Sequence, residues 1–239
     1  MCNLYSLNKG QAAIRDAAKA MRDLTGNLAP MPGIFPDYPA PIICTGDDGV
    51  REMVMARWGM PSSPKVIFEA AATRADKMRA RGGSVDFREL LKMEPDKGVT
   101  NVRNLASSHW APYLGPASRC LVPFTSFSEF NREAGGDIWF ARSEDRPLSF
   151  FAGLWLREWT GVRKIRTGVE TLALFAFLTC RPSKEVGAVH PKAMPVILTD
   201  AWELEQWMLS PWEAAAALQR PLPDGALQIV ARGVKLDDA

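Results

Sequence analysis

The 239-residue chain has only two histidines, His109 and His190, which excludes a histidine-rich metal centre. Its four cysteines, Cys2, Cys44, Cys120 and Cys180, lie far apart and form no CxxC pair. They read as reduced thiols rather than as a disulfide framework or a zinc site. No uninterrupted apolar run reaches about 18 residues, so a membrane span is ruled out. The first residues, Met1-Cys2-Asn3-Leu4-Tyr5, lack the basic-then-apolar layout of a signal peptide, and a cytoplasmic protein is expected. There is no excess of one charge either. Twenty-nine basic against 27 acidic residues leave +2, so attraction to a polyanion has to come from local clustering.

What is present is ordinary for a globular chain, with 47% hydrophobic and 23% charged residues. A chain of this length buries a sizeable core without cross-links. Two stretches concentrate basic residues. One, over residues 65–103, holds Lys65, Arg74, Lys77, Arg79, Arg81, Arg88, Lys92, Lys97 and Arg103. The other comprises Arg157, Arg163, Lys164 and Arg166. A charge run alone favours a solvated face.

Apolar spacing at Ile14, Ala18, Met21 and Leu24 predicts a helix over residues 9–24, capped by Asn8. The prolines between Pro30 and Pro41 exclude helix and central strand there and predict an extended crossing segment. Asp48-Gly49 predicts a hairpin between Ile42–Thr45 and Val50–Trp58. The polar segment 65–99, broken by Gly82-Gly83, predicts one or two short helices inserted between sheet elements. Strands are expected over Arg119–Phe124, Ile138–Arg142, Leu148–Trp155, Leu172–Cys180, Met194–Leu198 and Leu227–Val234. A helix capped by Thr199 or Asp200 runs to about Leu209. Ser210-Pro211-Trp212-Glu213 reads as a capping box that opens another helix, closed by Pro221. The expectation is α+β: one domain over 1–239, a largely antiparallel sheet or barrel with peripheral helices.

Cys2 is the first candidate for chemistry. With Met1 removed, it would carry an α-amine and a thiol on adjacent carbons, with ordinary pKa values of about 7.7–8.0 and 8.5. Such a 1,2-aminothiol condenses with an aldehyde and closes through sulfur to a thiazolidine, a route no internal cysteine has. Read singly, Asn101 is a turn residue, Glu129 an exposed strand acid and His190 a satisfied loop histidine.

Their order says more. Met1-Cys2, Ala56-Arg57-Trp58-Gly59, Asn101-Val102-Arg103, Arg119-Cys120-Leu121-Val122-Pro123 running into Phe127-Ser128-Glu129-Phe130, and His190 before Met194-Pro195-Val196-Ile197-Leu198 together resemble the SRAP family. These are the SOS-response-associated peptidases, also called abasic-site processing proteins, and the likeness spans residues 1 to about 212. It implies that Cys2, freed of Met1 by self-directed peptidase action, captures the ring-opened aldehyde of an abasic site in single-stranded DNA. It further implies that Asn101 orients the attack, that Glu129 moves protons and that His190 protonates the departing ring oxygen or stabilises the imine. Lyase-type release would run the same steps in reverse. Arg103 would hold a flanking phosphate, with Arg57 and the basic 65–99 insertion as looser phosphate contacts. No cofactor, metal or membrane is implied, and a monomer that joins the nucleoid on damaged DNA is expected.

The chain departs from the family pattern at Leu4, where an arginine is common, and in the residue added between His190 and Met194. His109-Trp110 is a candidate replacement for base-stacking aromatics missing from Met60–Pro64. Two other function classes fit parts of the pattern. One is an N-terminal-nucleophile amidohydrolase of glutaminase type, recognised by ammonia release. The other is a non-catalytic single-strand binding module, indifferent to loss of Cys2, Glu129 and His190.

Overall fold

The computed structural model describes residues 2–133 and 135–239. The first strands are Leu4–Leu7 (β1), Arg22–Asp23 (β2), Met31–Ile34 (β3), Pro39–Thr45 (β4), Arg51–Trp58 (β5), Asn101–Val102 (β6) and Arg119–Phe124 (β7). They are followed by Ser126–Asn131 (β8), Gly136–Ala141 (β9), Ser149–Val162 (β10), Val169–Cys180 (β11), Met194–Pro195 (β12), Ile197–Leu198 (β13) and Gln228–Arg232 (β14). The helices are Gln11–Ala17 (α1), Pro64–Arg79 (α2), Phe87–Lys92 (α3), Lys184–Gly187 (α4), Ala201–Leu209 (α5) and Trp212–Ala215 (α6).

The α+β expectation holds. β5, β4, β7, β10 and β11 pair in that order, and a parallel contact between β11 and β5 (Leu174 opposite Arg57, Phe175 opposite Trp58) closes them into a barrel. A second sheet, in the order β14-β9-β8-β1-β3, packs on it. Closure removes strand edges, and the short β6 extends the barrel wall by pairing in parallel with β11, Asn101 opposite Phe177.

The core joins the two sheets through aromatic rings. Tyr5 of β1 meets Trp58, Phe151 and Phe177 edge-on at centroid distances of 5.2, 5.8 and 6.1 Å. Phe124 stacks on Phe151 at 3.8 Å. Each such ring buries about 150–250 Å², so this cluster dominates the hydrophobic stabilisation and fixes β1 against the barrel mouth. At the far end of the chain, Asp237 pairs with Arg146 at 2.8 Å and accepts from Ser126 Oγ, tying the C-terminal tail to β8.

Several local expectations are corrected. The helix of residues 9–24 is only α1, with Gly10 at its N-cap; Asn8 instead donates from Nδ2 to the Asp237 carbonyl at 2.6 Å. Lys19 turns to φ +53°, and the chain leaves the helix to pair β2 with β5 in parallel. Met21 and Leu24, expected inside, are exposed. Proline does enter the barrel wall, as Pro39 and Pro41 of β4. That is tolerated because β7 reaches only Ile43, leaving one side of the proline end of β4 without a ladder to lose. Ser210 is no N-cap: it ends α5 and hydrogen-bonds the Gln206 side chain, and α6 starts behind Pro211 with no side-chain cap.

The Asp48-Gly49 hairpin forms as expected, with Gly49 at φ +78°. Segment 65–99 carries α2 and α3. It is anchored by Arg163, whose buried guanidinium donates to the Asp96 carbonyl at 3.0 Å and also to the Gly59 carbonyl. A Cβ on Gly98 would stand 2.5 Å from Arg163 Nη1 and 3.1 Å from Gly59 Cα, at φ +76°. Gly98→Ala is therefore expected to lower stability by about 1–3 kcal/mol, read by denaturant unfolding. Among the described residues no helix is long and apolar enough to cross a membrane.

Candidate functional site

β11 organises the site because it carries a partner on each side at its C-terminal end. β6 lies alongside with Asn101 opposite Phe177, and β12 returns along it with Pro195 opposite Thr179. The loop holding His190 precedes β12, so imidazole and Asn101 are brought to the same end of the barrel. β1 pairs with β8, Leu4 opposite Ser128 and Tyr5 opposite Phe127, which carries Cys2 and Glu129 to that end as well.

Cys2 is fully buried, and its Sγ donates to the Leu4 carbonyl at 3.4 Å. Asn101 Nδ2 donates to the Cys2 carbonyl at 2.9 Å and to Thr100 Oγ1 at 2.9 Å. Asn101 Oδ1 is buried and has no hydrogen-bond partner among the described residues. Glu129 Oε2 lies 3.8 Å from His190 Nδ1. His190 Nδ1 also lies 3.2 Å from the Ala193 carbonyl, an acceptor, so the neutral ring carries its proton on Nδ1.

Burial sets the proton affinities. It raises the Cys2 thiol well above its usual value, and the nearby Glu129 charge adds to the shift. Glu129 is buried rather than an exposed strand acid, and loss of water raises its carboxyl to about 7, since ionisation inside the protein is unfavourable. Burial lowers the His190 pKa, with a smaller push from Lys192. A carboxyl that titrates near neutrality beside a neutral imidazole is suited to giving and taking protons at physiological pH. Met1, whose removal was expected, lies outside the described residues.

Arg103 follows β6 directly, is exposed, and donates from Nη1 to the Lys192 carbonyl, so it borders the His190 loop. Arg57 is placed differently. Its register partner Leu174 lies three residues before Phe177 on β11, about 10 Å along the strand. Its guanidinium sits 3.7 Å from Asp37 and 3.6 Å from Glu170. Leu4 is buried in the core and Trp110 is also buried, so neither presents itself to a ligand.

Two residues not singled out from sequence join the site. Gln219 Nε2 donates to the carbonyls of both Arg103 and Thr179, at 2.8 and 2.9 Å, bracing β6 against β11. The Thr179 hydroxyl is buried without a partner among the described residues. Neither carries a local sequence signal, because both depend on strand pairings remote in the chain. Among the described residues no group of three or more His, Cys, Asp or Glu is arranged to hold a metal ion.

Comparison with known proteins follows the same lines. A protein of Bordetella bronchiseptica has a solved structure that is 20% identical, with a TM-score of 0.64 over 98% of this chain and 100% of that one. A protein of Bacteroides thetaiotaomicron is 21% identical, with a TM-score of 0.63 over 97% and 93%. A phage-related protein of Bordetella bronchiseptica is 15% identical, with a TM-score of 0.61 over 95% and 92%. These likenesses show the fold. No curated protein matches the chain. A family model described as SOS response associated peptidase matches residues 100–235, a stretch that includes Asn101, Arg103, Glu129 and His190. That match covers more than half of the sequence, and the chain belongs to the SRAP family, the SOS response associated peptidases.

Proposed function

We propose that this protein captures abasic sites in single-stranded DNA covalently through Cys2, after removing its own Met1. The observation that carries the reading is the convergence of four groups from separate parts of the chain. Asn101 holds the Cys2 backbone at 2.9 Å, and a carboxyl with a pKa of about 7 lies 3.8 Å from His190 on the same barrel end. Residues 1–239 act as one unit in this reading, with 65–99 as an insertion, and the protein works as a monomer.

The chemistry balances without oxidant or metal. Water cleaves the Met1–Cys2 amide, releasing methionine and a free α-amine. That amine adds to C1′ of the ring-opened sugar, and loss of one water leaves an imine. The thiol then adds to the imine carbon while its proton passes to nitrogen, closing a five-membered thiazolidine. The order of nucleophiles follows from burial. The Cys2 thiol is held protonated well above neutrality, whereas an amino terminus ordinarily titrates at about 7.7–8.0, so nitrogen attacks first and sulfur second. Glu129 supplies and recovers protons, and the His190 imidazole shares that duty. Asn101 fixes the Cys2 carbonyl and thereby the direction of the amine.

The test is a denaturing gel after incubation with three strands: abasic, intact, and abasic with its aldehyde blocked by an alkoxyamine. A heat-stable adduct with the first alone is the expected result. Ammonia release from glutamine without any adduct would point instead to an amidohydrolase.

A further inference from the structure

The basic stretches visible in the sequence are partly neutralised in three dimensions. Arg74 pairs with Glu94, Arg79 with Asp76, Lys65 with Glu69, Arg157 with Asp47 and Glu52, and Lys164 with Asp37. Positive charge also gathers in a cleft. This cleft of about 1300 Å³ beside the His190 loop is lined by Arg142, Arg181, Lys184 and Arg220, with Asp224 as the carboxylate in its wall. Among the described residues Arg142, Arg181 and Lys184 have no ion-pair partner, while Arg220 pairs with Glu203 and Asp224 caps the Lys184 N–H at 2.9 Å.

The cleft lies against the loop that carries His190. Lys184 opens α4, and the same short segment ends in His190; Pro191 forms part of the cleft wall. Arg103, Arg181 and Arg220 all surround Cys180, whose thiol burial pushes up to about 11 while the three guanidiniums pull against it. The lining includes five prolines and no aromatic side chain, so it offers charge on rigid walls and no platform for bases.

We propose that this cleft seats the phosphodiester backbone of the strand whose damaged nucleotide enters the Cys2 site, an inference that rests on the DNA reading above. Contacts of this kind neutralise phosphates irrespective of sequence and release counterions, which gives binding a measurable salt slope. They extend the strand from Arg103 past Arg181 toward Arg142.

The probe is an unmodified oligothymidylate, which has no aldehyde, so the outcome is independent of whether Cys2 forms a cross-link. Arg181→Glu combined with Lys184→Glu is expected to weaken equilibrium binding about tenfold or more and to flatten the logarithmic salt slope by about 1–2. Lys9→Glu combined with Arg15→Glu makes the same charge change on exposed residues around α1 and should leave both readouts where they were. If the first pair loses stability, alanines at Arg181 and Lys184 replace the glutamates in the same titration. Binding and slope unchanged in the cleft pair, or an equal loss in the α1 pair, overturns the proposal.

Discussion

Cys2→Ala is expected to abolish the heat-stable adduct with abasic DNA while leaving the fold and weak strand binding in place. The thiol contributes little else: it is buried with one hydrogen bond, to Leu4 O, and losing one core atom costs about 1 kcal/mol. Alanine is small enough for Met1 removal to remain feasible, so the variant still presents an α-amine at position 2. It forms an imine and stops there, because no sulfur closes the ring. The variant therefore yields an adduct only when borohydride reduces the imine, whereas the parent protein needs no reductant. A heat-stable, reductant-independent adduct with Cys2→Ala would eliminate the aminothiol mechanism.

Glu129→Gln has the second large effect, and it is expected in two independent readouts. Glutamine keeps the shape but cannot shuttle a proton, so the capture rate should fall by about 10²-fold or more. The parent rate should change with pH through an inflection near 7, where the buried carboxyl titrates, and the variant should lack that inflection. Stability moves in the opposite direction. In the unfolded chain the carboxyl titrates near 4.5, in the folded protein near 7. Below 4.5 both states are protonated and nothing differs. As pH rises from 4.5 to 7 only the unfolded state loses its proton, so folding stability falls, by up to about 3 kcal/mol. Glu129→Gln removes that penalty and should raise the unfolding midpoint at pH 8 but not at pH 4. Slower catalysis in a more stable protein separates a proton-transfer role from simple damage to the fold.

Legibility of this molecule varied with the range of the interactions involved. Local chemistry was readable: the Asp48-Gly49 turn, the Asp200 cap of α5 and the long apolar run of β11 all declared themselves. Pairings that close the barrel did not. β6 is two residues long and has no pattern of its own; it exists because β11 offers an edge at Phe177. β1 escaped notice for a similar reason, since Leu4–Leu7 is buried on every residue and lacks the alternation of a half-exposed strand. The apolar spacing through Met21 and Leu24 imitated a helix, yet hydrogen bonds from Met21 and Leu24 to the backbone of β5 drew the chain out of it.

The candidate site shows the same division. Cys2, Asn101, Glu129 and His190 were identifiable as residue types in a characteristic order, and the fold brings them to one barrel end. Thr179 and Gln219 were invisible because their placement depends on which strand end they meet. Charge was the least legible property. Residues clustered in sequence, such as Arg157, Arg163 and Lys164, turned toward carboxylates from distant segments. Those that shape the open cleft, Arg142, Arg181, Lys184 and Arg220, are scattered along the chain.

Intact-mass spectrometry of the purified protein, before and after incubation with an abasic single strand, tests the central claim most directly. The account predicts a polypeptide lacking Met1 that gains the mass of one oligonucleotide less one water, with the added mass mapping to the N-terminal peptide. A protein that retains Met1 and still gains the strand, or one that loses Met1 and gains nothing, would contradict it.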